Sequence, residues 1–146
     1  MNSISYFLLV FFAHDTNFQS IDYSMIVREL IETEEDMIRD MQFVVRTYIR
    51  QSDSSITPKE IRSVKDDIFH CYKELLEFHK DILLKNFQTL AKEPSKIGTL
   101  FLRIQSDFIN HSRYCQNLPK ALAILDDNSD VAEYFNVSFL VVVCQK

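Results

Sequence analysis

The sequence is poor in the residues that make tight turns. Its 146 residues include one glycine and three prolines, and no tryptophan. Glycine makes up about 7% of an average protein, and glycine and proline form most tight turns. Their scarcity disfavours an all-β fold and predicts long helices. A sequence with a single glycine also cannot contain a glycine-rich phosphate-binding loop.

The sequence also lacks an excess of basic residues. Sixteen lysines and arginines face 21 aspartates and glutamates, which gives a net charge of -5 at pH 7. Nucleic-acid-binding surfaces are normally basic, so we expect no nucleic-acid partner. The three cysteines, Cys71, Cys115 and Cys144, are widely spaced and follow no metal-ligand pattern. They indicate free thiols in a soluble, cytoplasmic protein, and no cofactor is expected.

Both ends of the chain differ from the middle. Residues 6–12 read YFLLVFF, without the basic residues before it or the small residues after it that are typical of a signal peptide. This segment is also far shorter than the roughly 20 residues of a membrane-spanning helix. Residues 139–144 read FLVVVC, a composition that favours a strand. We therefore divide the sequence into an apolar extension (1–21), a domain (22–136) and an apolar tail (137–146).

The middle of the chain shows helical periodicity. Thr57-Pro58 followed by Glu60 predicts a helix start with a capping box, and Pro119 predicts a kink or restart in a later helix. The fold is therefore predicted to be all-α, an elongated antiparallel bundle of three long helices plus a short fourth. The predicted helices cover residues 22–50, 58–91, 96–118 and 130–136.

One carboxylate interrupts the apolar row of the first helix. Six of the seven positions in that row are apolar or aromatic, and the seventh is Glu34. A buried carboxylate without a partner is costly. Either Glu34 bends out to water on its flexible stem, or the row is open there and receives another protein. The seven positions are Val27, Leu30, Glu34, Met37, Met41, Val44 and Tyr48.

The histidines offer little evidence of catalysis or metal binding. Asp67 and His70 lie one helical turn apart, as in di-metal bundles, but such a site needs a second pair and two further carboxylates. His79 and His111 fall in apolar rows, which is typical of core histidines with one ring nitrogen hydrogen-bonded. No serine or cysteine lies in a recognisable nucleophile motif. We therefore expect neither a metal site nor an enzyme active site.

Residues 29–41, 68–83 and 97–122 contain three blocks that together resemble the Dbl-homology (RhoGEF) domain of exchange factors for Rho-family GTPases. Residues 29–41, ELIETEEDMIRDM, are similar to its first conserved region, of the form ELLxTExxYVxDL. Residues 68–83, IFHCYKELLEFHKDIL, are similar to its next helix, IFxNIxELLxxHxxFL. Residues 97–102 and 114–122, IGTLFL and YCQNLPKAL, are similar to its second conserved region. The blocks occur in the family's order and spacing over residues 22–136.

The sequence departs from the family pattern in two places. Met37 stands where the family usually has tyrosine. After VAEYF (131–135), the family's third conserved region does not follow, so the resemblance implies an incomplete domain that is weak or inactive as given. Exposed apolar surface would then favour self-association, and membrane contact would come only through a missing downstream domain. A helical protein-interaction module without exchange activity is the alternative.

The resemblance implies a mechanism without covalent chemistry. Family members bind the nucleotide-free form of a Rho-family GTPase more tightly than the loaded form, and by linkage they weaken nucleotide binding. The glutamate of the family's TE pair contacts the GTPase, and Glu34 matches it. Ile31 and Ile38 lie three residues before and four after Glu34, on the same helical face. We expect these two side chains to flank a GTPase contact made by Glu34.

Overall fold

Helices account for all regular structure in the part of the chain that can be described. The computed structural model describes residues 23–144, with side chains for residues 23–136, and its elements there are α-, π- and 3₁₀-helices. The predicted all-α class is confirmed. The apolar segment 6–12 lies outside the described residues. Within them, no helix is both long and apolar enough to cross a membrane.

The first long helix follows its prediction closely. Helix α1 (Tyr23–Val44) continues through a π-helical segment (Val45–Ile49) into α2 (Arg50–Ser52). The buried row, however, differs from the predicted one, because Ile38 is buried and Met37 is 37% exposed. A row that repeats every seven residues drifts by about 20° per heptad around an α-helix with 3.6 residues per turn. The buried face therefore moves from Met37 to Ile38.

The second long helix is interrupted near its middle. It consists of α3 (Lys59–Phe69), α4 (Tyr72–Glu77), a π-helical segment (Phe78–Leu84) and α5 (Lys85–Leu90). The break falls at His70, whose φ of 42° is unfavourable for a residue with a side chain. No sequence pattern predicted this break.

The capping box predicted at Thr57 is wrong. Pro58 occupies the N-cap position of α3 and no side chain caps this end. The Thr57 hydroxyl instead donates to the Gln51 carbonyl oxygen at 2.8 Å and lies 3.4 Å from the Tyr134 hydroxyl. Thr57 is buried, so its hydroxyl is used to close the loop between α2 and α3 rather than to cap α3.

The third long helix is broken at a different place from the one predicted. After a 3₁₀ turn (Pro94–Lys96), α6 (Ile97–Arg103) ends at Ile104, and a second 3₁₀ turn (Gln105–Phe108) leads into α7 (Ile109–Asp127). Pro119 lies inside α7 without interrupting it. Pro119 is exposed, so water can bind the carbonyl oxygen that loses its N–H partner there.

The fourth helix is longer than predicted. Helix α8 (Ser129–Cys144) runs without a break past residue 136 and includes the segment FLVVVC. The strand predicted for residues 139–144 is therefore wrong. β-Propensity depends strongly on context, and a β-branched run that directly continues a helix has no neighbouring strand with which to pair.

Hydrogen bonds between helices show the antiparallel arrangement. Asn117 on α7 donates to the Asp67 carbonyl oxygen at 2.7 Å, and the Cys71 thiol donates to the Asn110 carbonyl oxygen at 3.3 Å. Residue numbers therefore rise along one helix as they fall along its neighbour. The predicted antiparallel bundle of three long helices plus a fourth is confirmed. Cys71 and Cys115 are free thiols.

The core forms three apolar clusters. The largest joins α1, the Phe78–Leu84 segment, α5 and α6, and includes Phe87 and Ile97, which are almost fully buried. A middle cluster contains Met41, Cys71 and Leu75. The third joins α3 to α8 through Ile61, Ile68 and Val131. On α1, Glu34 lies between Val27, which belongs to the largest cluster, and Met41, which belongs to the middle cluster.

Two leucines of α6 provide a matched test of this core. Leu100 is 2% exposed and Leu102 is 74% exposed, although they are the same residue type on the same helix. We expect Leu100→Ala to lower the free energy of unfolding by about 2–5 kcal/mol, because it leaves a cavity. Leu102→Ala should change it by less than about 0.5 kcal/mol. Urea unfolding followed by circular dichroism at 222 nm measures both, and equal effects would contradict this packing.

Candidate functional site

Glu34 is buried between helices instead of pointing to water. Only 8% of its side chain is exposed. Its Oε1 lies 2.5 Å from Nδ1 of His79, which is on the π-helical segment of the second long helix. Because an ionised carboxylate only accepts hydrogen bonds, Nδ1 of His79 donates. The carboxylate within the apolar row therefore has a partner in its own chain.

His79 links Glu34 to the third long helix. Its side chain is 4% exposed, and its other ring nitrogen, Nε2, lies 2.9 Å from Nε2 of His111 on α7. The two imidazole rings meet edge to face with centroids 4.9 Å apart, and Phe78 and Phe108 pack against His111. We call Glu34, His79 and His111 the polar cluster. It connects all three long helices.

The environment of His111 determines how hydrogen bonds run through the polar cluster. Burial lowers the pKa of His111 to about 4, and the neighbouring His79 contributes to the lowering, so His111 is neutral at pH 7. A neutral ring has one N–H. Placed on Nε2, this hydrogen is donated to His79, and Nδ1 of His111 remains an acceptor without a partner. An unpaired acceptor is tolerated better than an unpaired buried N–H.

The polar cluster is directional as a result. With the hydrogen of His111 on Nε2, His111 donates to His79, and with the hydrogen of His79 on Nδ1, His79 donates to Oε1 of Glu34. Among the described residues, the one buried side-chain polar atom without a hydrogen bond is Nδ1 of His111. The hydrogen bond from His79 to Glu34 goes to Oε1, and 8% of the Glu34 side chain stays exposed. The same described residues contain no group of three side chains suited to hold a metal ion.

The structure places the three predicted site residues on one face of α1, with unequal access. Glu34 and Ile38 are buried, and Ile31 is half-buried. The interpretation in which Glu34 bends out to water is wrong. The prediction of a core histidine with a bonded ring nitrogen is confirmed for His79, and for His111 in one of its two nitrogens.

Sequence reasoning missed that Glu34 and His79 are partners. Each is conspicuous in the sequence only as a separate polar residue within an apolar row. Two such residues on neighbouring antiparallel helices are a signal for a buried pair, because each relieves the other's cost of burial. The register that sets them opposite one another depends on the π-helical turns and the break at His70, which the sequence pattern did not reveal.

Comparison with known proteins identifies the family. A model of the RhoGEF domain matches residues 26–141 of the chain, which is most of its length. The chain belongs to the RhoGEF domain family. The resemblance seen in the three sequence blocks is confirmed, and the match extends through α7 into α8.

Several curated proteins are similar to this RhoGEF-domain chain. Human proto-oncogene DBL is 32% identical over 111 residues, and a human protein named probable guanine nucleotide exchange factor MCF2L2 is 34% identical over 116 residues. These alignments cover 73% and 77% of the chain but 12% and 10% of the two relatives. The muscle M-line assembly protein unc-89 of Caenorhabditis elegans is 24% identical over 102 residues, which are 1% of its length. The chain thus spans about a tenth of the first two relatives.

Removing the carboxylate should destabilise the RhoGEF domain. Glu34→Ala leaves the buried Nδ1–H of His79 without an acceptor, so we expect a loss of about 1–3 kcal/mol in the free energy of unfolding. Glu34→Gln keeps an oxygen that can accept from Nδ1 and should cost less. Glu29→Ala, at an exposed site on the same helix, is the control and should change stability by less than about 0.5 kcal/mol. Equal stability of Glu34→Ala and Glu29→Ala would contradict the buried pair.

The low pKa of His111 predicts acid sensitivity. The folded protein binds a proton at His111 with a pKa of about 4 and the unfolded chain near 6.5, so stability falls as the pH drops from 6.5 to 4. Since the ring is only half-buried, we expect this loss to be reduced by screening to about 1 kcal/mol. The NMR signals of the His111 ring should titrate with a midpoint near pH 4. His111→Gln should remove the part of the acid destabilisation that is due to this ring. A midpoint of 6.5 or higher would contradict it.

Proposed function

We propose that this chain promotes guanine-nucleotide exchange on a Rho-family small GTPase, with Glu34 as its main contact. Membership of the RhoGEF domain family and the names of relatives such as the exchange factor DBS support the class of activity. The observation that carries the site is the anchored carboxylate: the hydrogen bond from His79 goes to Oε1 and leaves Oε2 able to accept from a partner. The partner is bound most tightly in its nucleotide-free form.

The mechanism needs no covalent step and no cofactor. A protein that binds the empty GTPase more tightly than the loaded one lowers nucleotide affinity by the same factor, because the two equilibria are linked. A carboxylate aimed at a GTPase segment can accept charge-assisted hydrogen bonds that compete with the segment's bonds to nucleotide and Mg²⁺. Glu34 supplies that carboxylate. The protein acts in the cytoplasm, where Rho-family GTPases are regulated.

The difference in burial supports unequal roles for the two flanking residues. Ile31 is half-buried and forms the more accessible apolar flank. Ile38 belongs to the core and contributes mainly by supporting α1 under the contact. We expect weak exchange from these 146 residues alone, because the family resemblance implies further GTPase contacts in a third conserved region after the VAEYF motif.

A helical interaction module without exchange activity is the second candidate. Helix α7 exposes two large apolar side chains one turn apart, Leu118 and Leu122, at 40% and 52% of their surface. Exposed apolar surface on a helix is typical of contacts with another helix or a second copy of the chain. In this function, the chain binds a protein and leaves its nucleotide affinity unchanged.

Nucleotide release tests the proposed function. The chain, and a fusion that adds the third conserved region and final helix of a Dbl-type domain, are each mixed with a Rho-type or Rac-type GTPase loaded with fluorescent GDP. We expect slow release with the chain and clear acceleration with the fusion. Glu34→Gln should reduce the acceleration about tenfold or more, since an interaction restricted to the carboxylate is worth on the order of 1.4 kcal/mol.

Glu29→Gln is the matched control for charge, because it removes one carboxylate from an exposed site on the same helix. It should leave release unchanged. If the fusion with glutamine at position 34 exchanges as fast as the parent, Glu34 is not the contact. If the chain binds the GTPase and the fusion never accelerates release, the interaction-module alternative is favoured.

A further inference from the structure

His79 has two hydrogen bonds to side chains, and it matches the histidine of the family pattern ELLxxHxxFL, to which the resemblance assigns no role. Both its ring nitrogens are used, Nδ1 toward Glu34 and Nε2 toward His111. A histidine needed only for packing could be replaced by leucine at little cost in shape. A histidine that has both nitrogens bonded to functional groups on two other helices fixes the orientation of those groups.

We propose that His79 is a positioning residue, which holds Oε1 of Glu34 so that Oε2 faces the GTPase. This inference rests on the proposed function of Glu34. One hydrogen bond to one carboxylate oxygen leaves the other oxygen's lone pairs free while removing most of the side chain's rotational freedom. The carboxylate of Glu34 is therefore preorganised in the free protein. Binding of the GTPase then avoids the entropy loss of ordering a flexible glutamate side chain.

His111 extends the same chain of hydrogen bonds. By donating from Nε2, it leaves His79 with its hydrogen on Nδ1, which is the tautomer that can donate to Glu34. This is the logic by which a neighbouring group fixes the tautomer of a histidine in enzymes and metal sites. His111 therefore supports Glu34 at one remove, through His79.

The backbone around His79 supports a positioning role. His79 is the second residue of the π-helical segment Phe78–Leu84. A π-helical turn has poorer geometry than an α-helical one and occurs often at functional sites. It also turns the following side chains away from where an unbroken α-helix would place them. At this place the segment sets His79 within hydrogen-bond distance of groups on both neighbouring helices.

The first test determines the tautomers of His79 and His111 in the free 146-residue chain. Histidine ring ¹⁵N shifts distinguish the two tautomers, and we expect His79 with hydrogen on Nδ1 and His111 with hydrogen on Nε2. Glu34→Ala should change the ring shifts of His79, whereas Glu29→Ala should not. If His79 shows hydrogen on Nε2 alone, it does not donate to Glu34, and the positioning role is overturned.

The second test is a double-mutant cycle on binding of a nucleotide-free Rho-family GTPase. His79→Leu removes the donor, whereas His79→Asn keeps an amide N–H near the position of Nδ1. With Glu34 present, we expect His79→Leu to weaken binding about tenfold and His79→Asn to restore most of the loss. In the Glu34→Ala background, His79→Leu should weaken binding less than about twofold. Urea midpoints of all variants are measured in parallel.

The outcomes separate this inference from the proposed function. Equal losses from His79→Leu in both backgrounds mean that His79 acts through stability of the fold, and they overturn the positioning role while Glu34 remains the contact. Full binding by His79→Leu likewise overturns it. If Glu34→Ala alone binds as well as the parent chain, the proposed contact is wrong, and the positioning role is overturned with it.

Discussion

A carboxylate placed inside an apolar helix face constrains the arrangement of all three long helices. An ionised glutamate taken out of water needs a hydrogen-bond donor, and its burial without one would cost several kcal/mol. The donor is His79, which must therefore lie opposite Glu34, and His111 must lie opposite His79. Apolar contacts tolerate sliding by a turn, whereas this chain of hydrogen bonds is satisfied in one register. The polar cluster thus determines the register between the long helices, and the apolar clusters provide most of the stability.

The polar cluster also reconciles two demands on Glu34 that initially conflict. A residue that contacts a partner should be accessible, yet Glu34 is among the buried residues of α1. In the proposed function the two oxygens of Glu34 resolve the conflict, because the hydrogen bond from His79 goes to Oε1 and leaves Oε2 for a partner. A carboxylate held in this way presents a small, rigid target. Rigid presentation favours selection of one partner geometry over many, since little conformational freedom remains to be lost on binding.

Sequence reasoning succeeded where one physical factor dominated. The scarcity of glycine and the helical periodicity were sufficient to predict an all-α bundle, and three blocks that match the family pattern in order were sufficient to identify the family. It failed where local and tertiary preferences compete. Residues 139–144 favour a strand locally but continue α8, and Thr57 fits a capping box but closes a loop instead. Neither outcome can be read from a residue's neighbours in sequence.

The same limit of sequence-based prediction applies to the candidate site. Glu34 is recognisable from the sequence because a charge in an apolar row is conspicuous, and His79 is recognisable as a core residue for a similar reason. Their pairing requires the register between two helices, which depends on a positive φ at His70 and on a π-helical turn that begins one residue before His79. These backbone features have no simple sequence signature. Two polar residues in facing apolar rows nevertheless imply each other energetically, because neither is stable there alone. The sequence therefore identifies Glu34 and His79 as candidates for a buried pair, and the register between their helices decides that they meet.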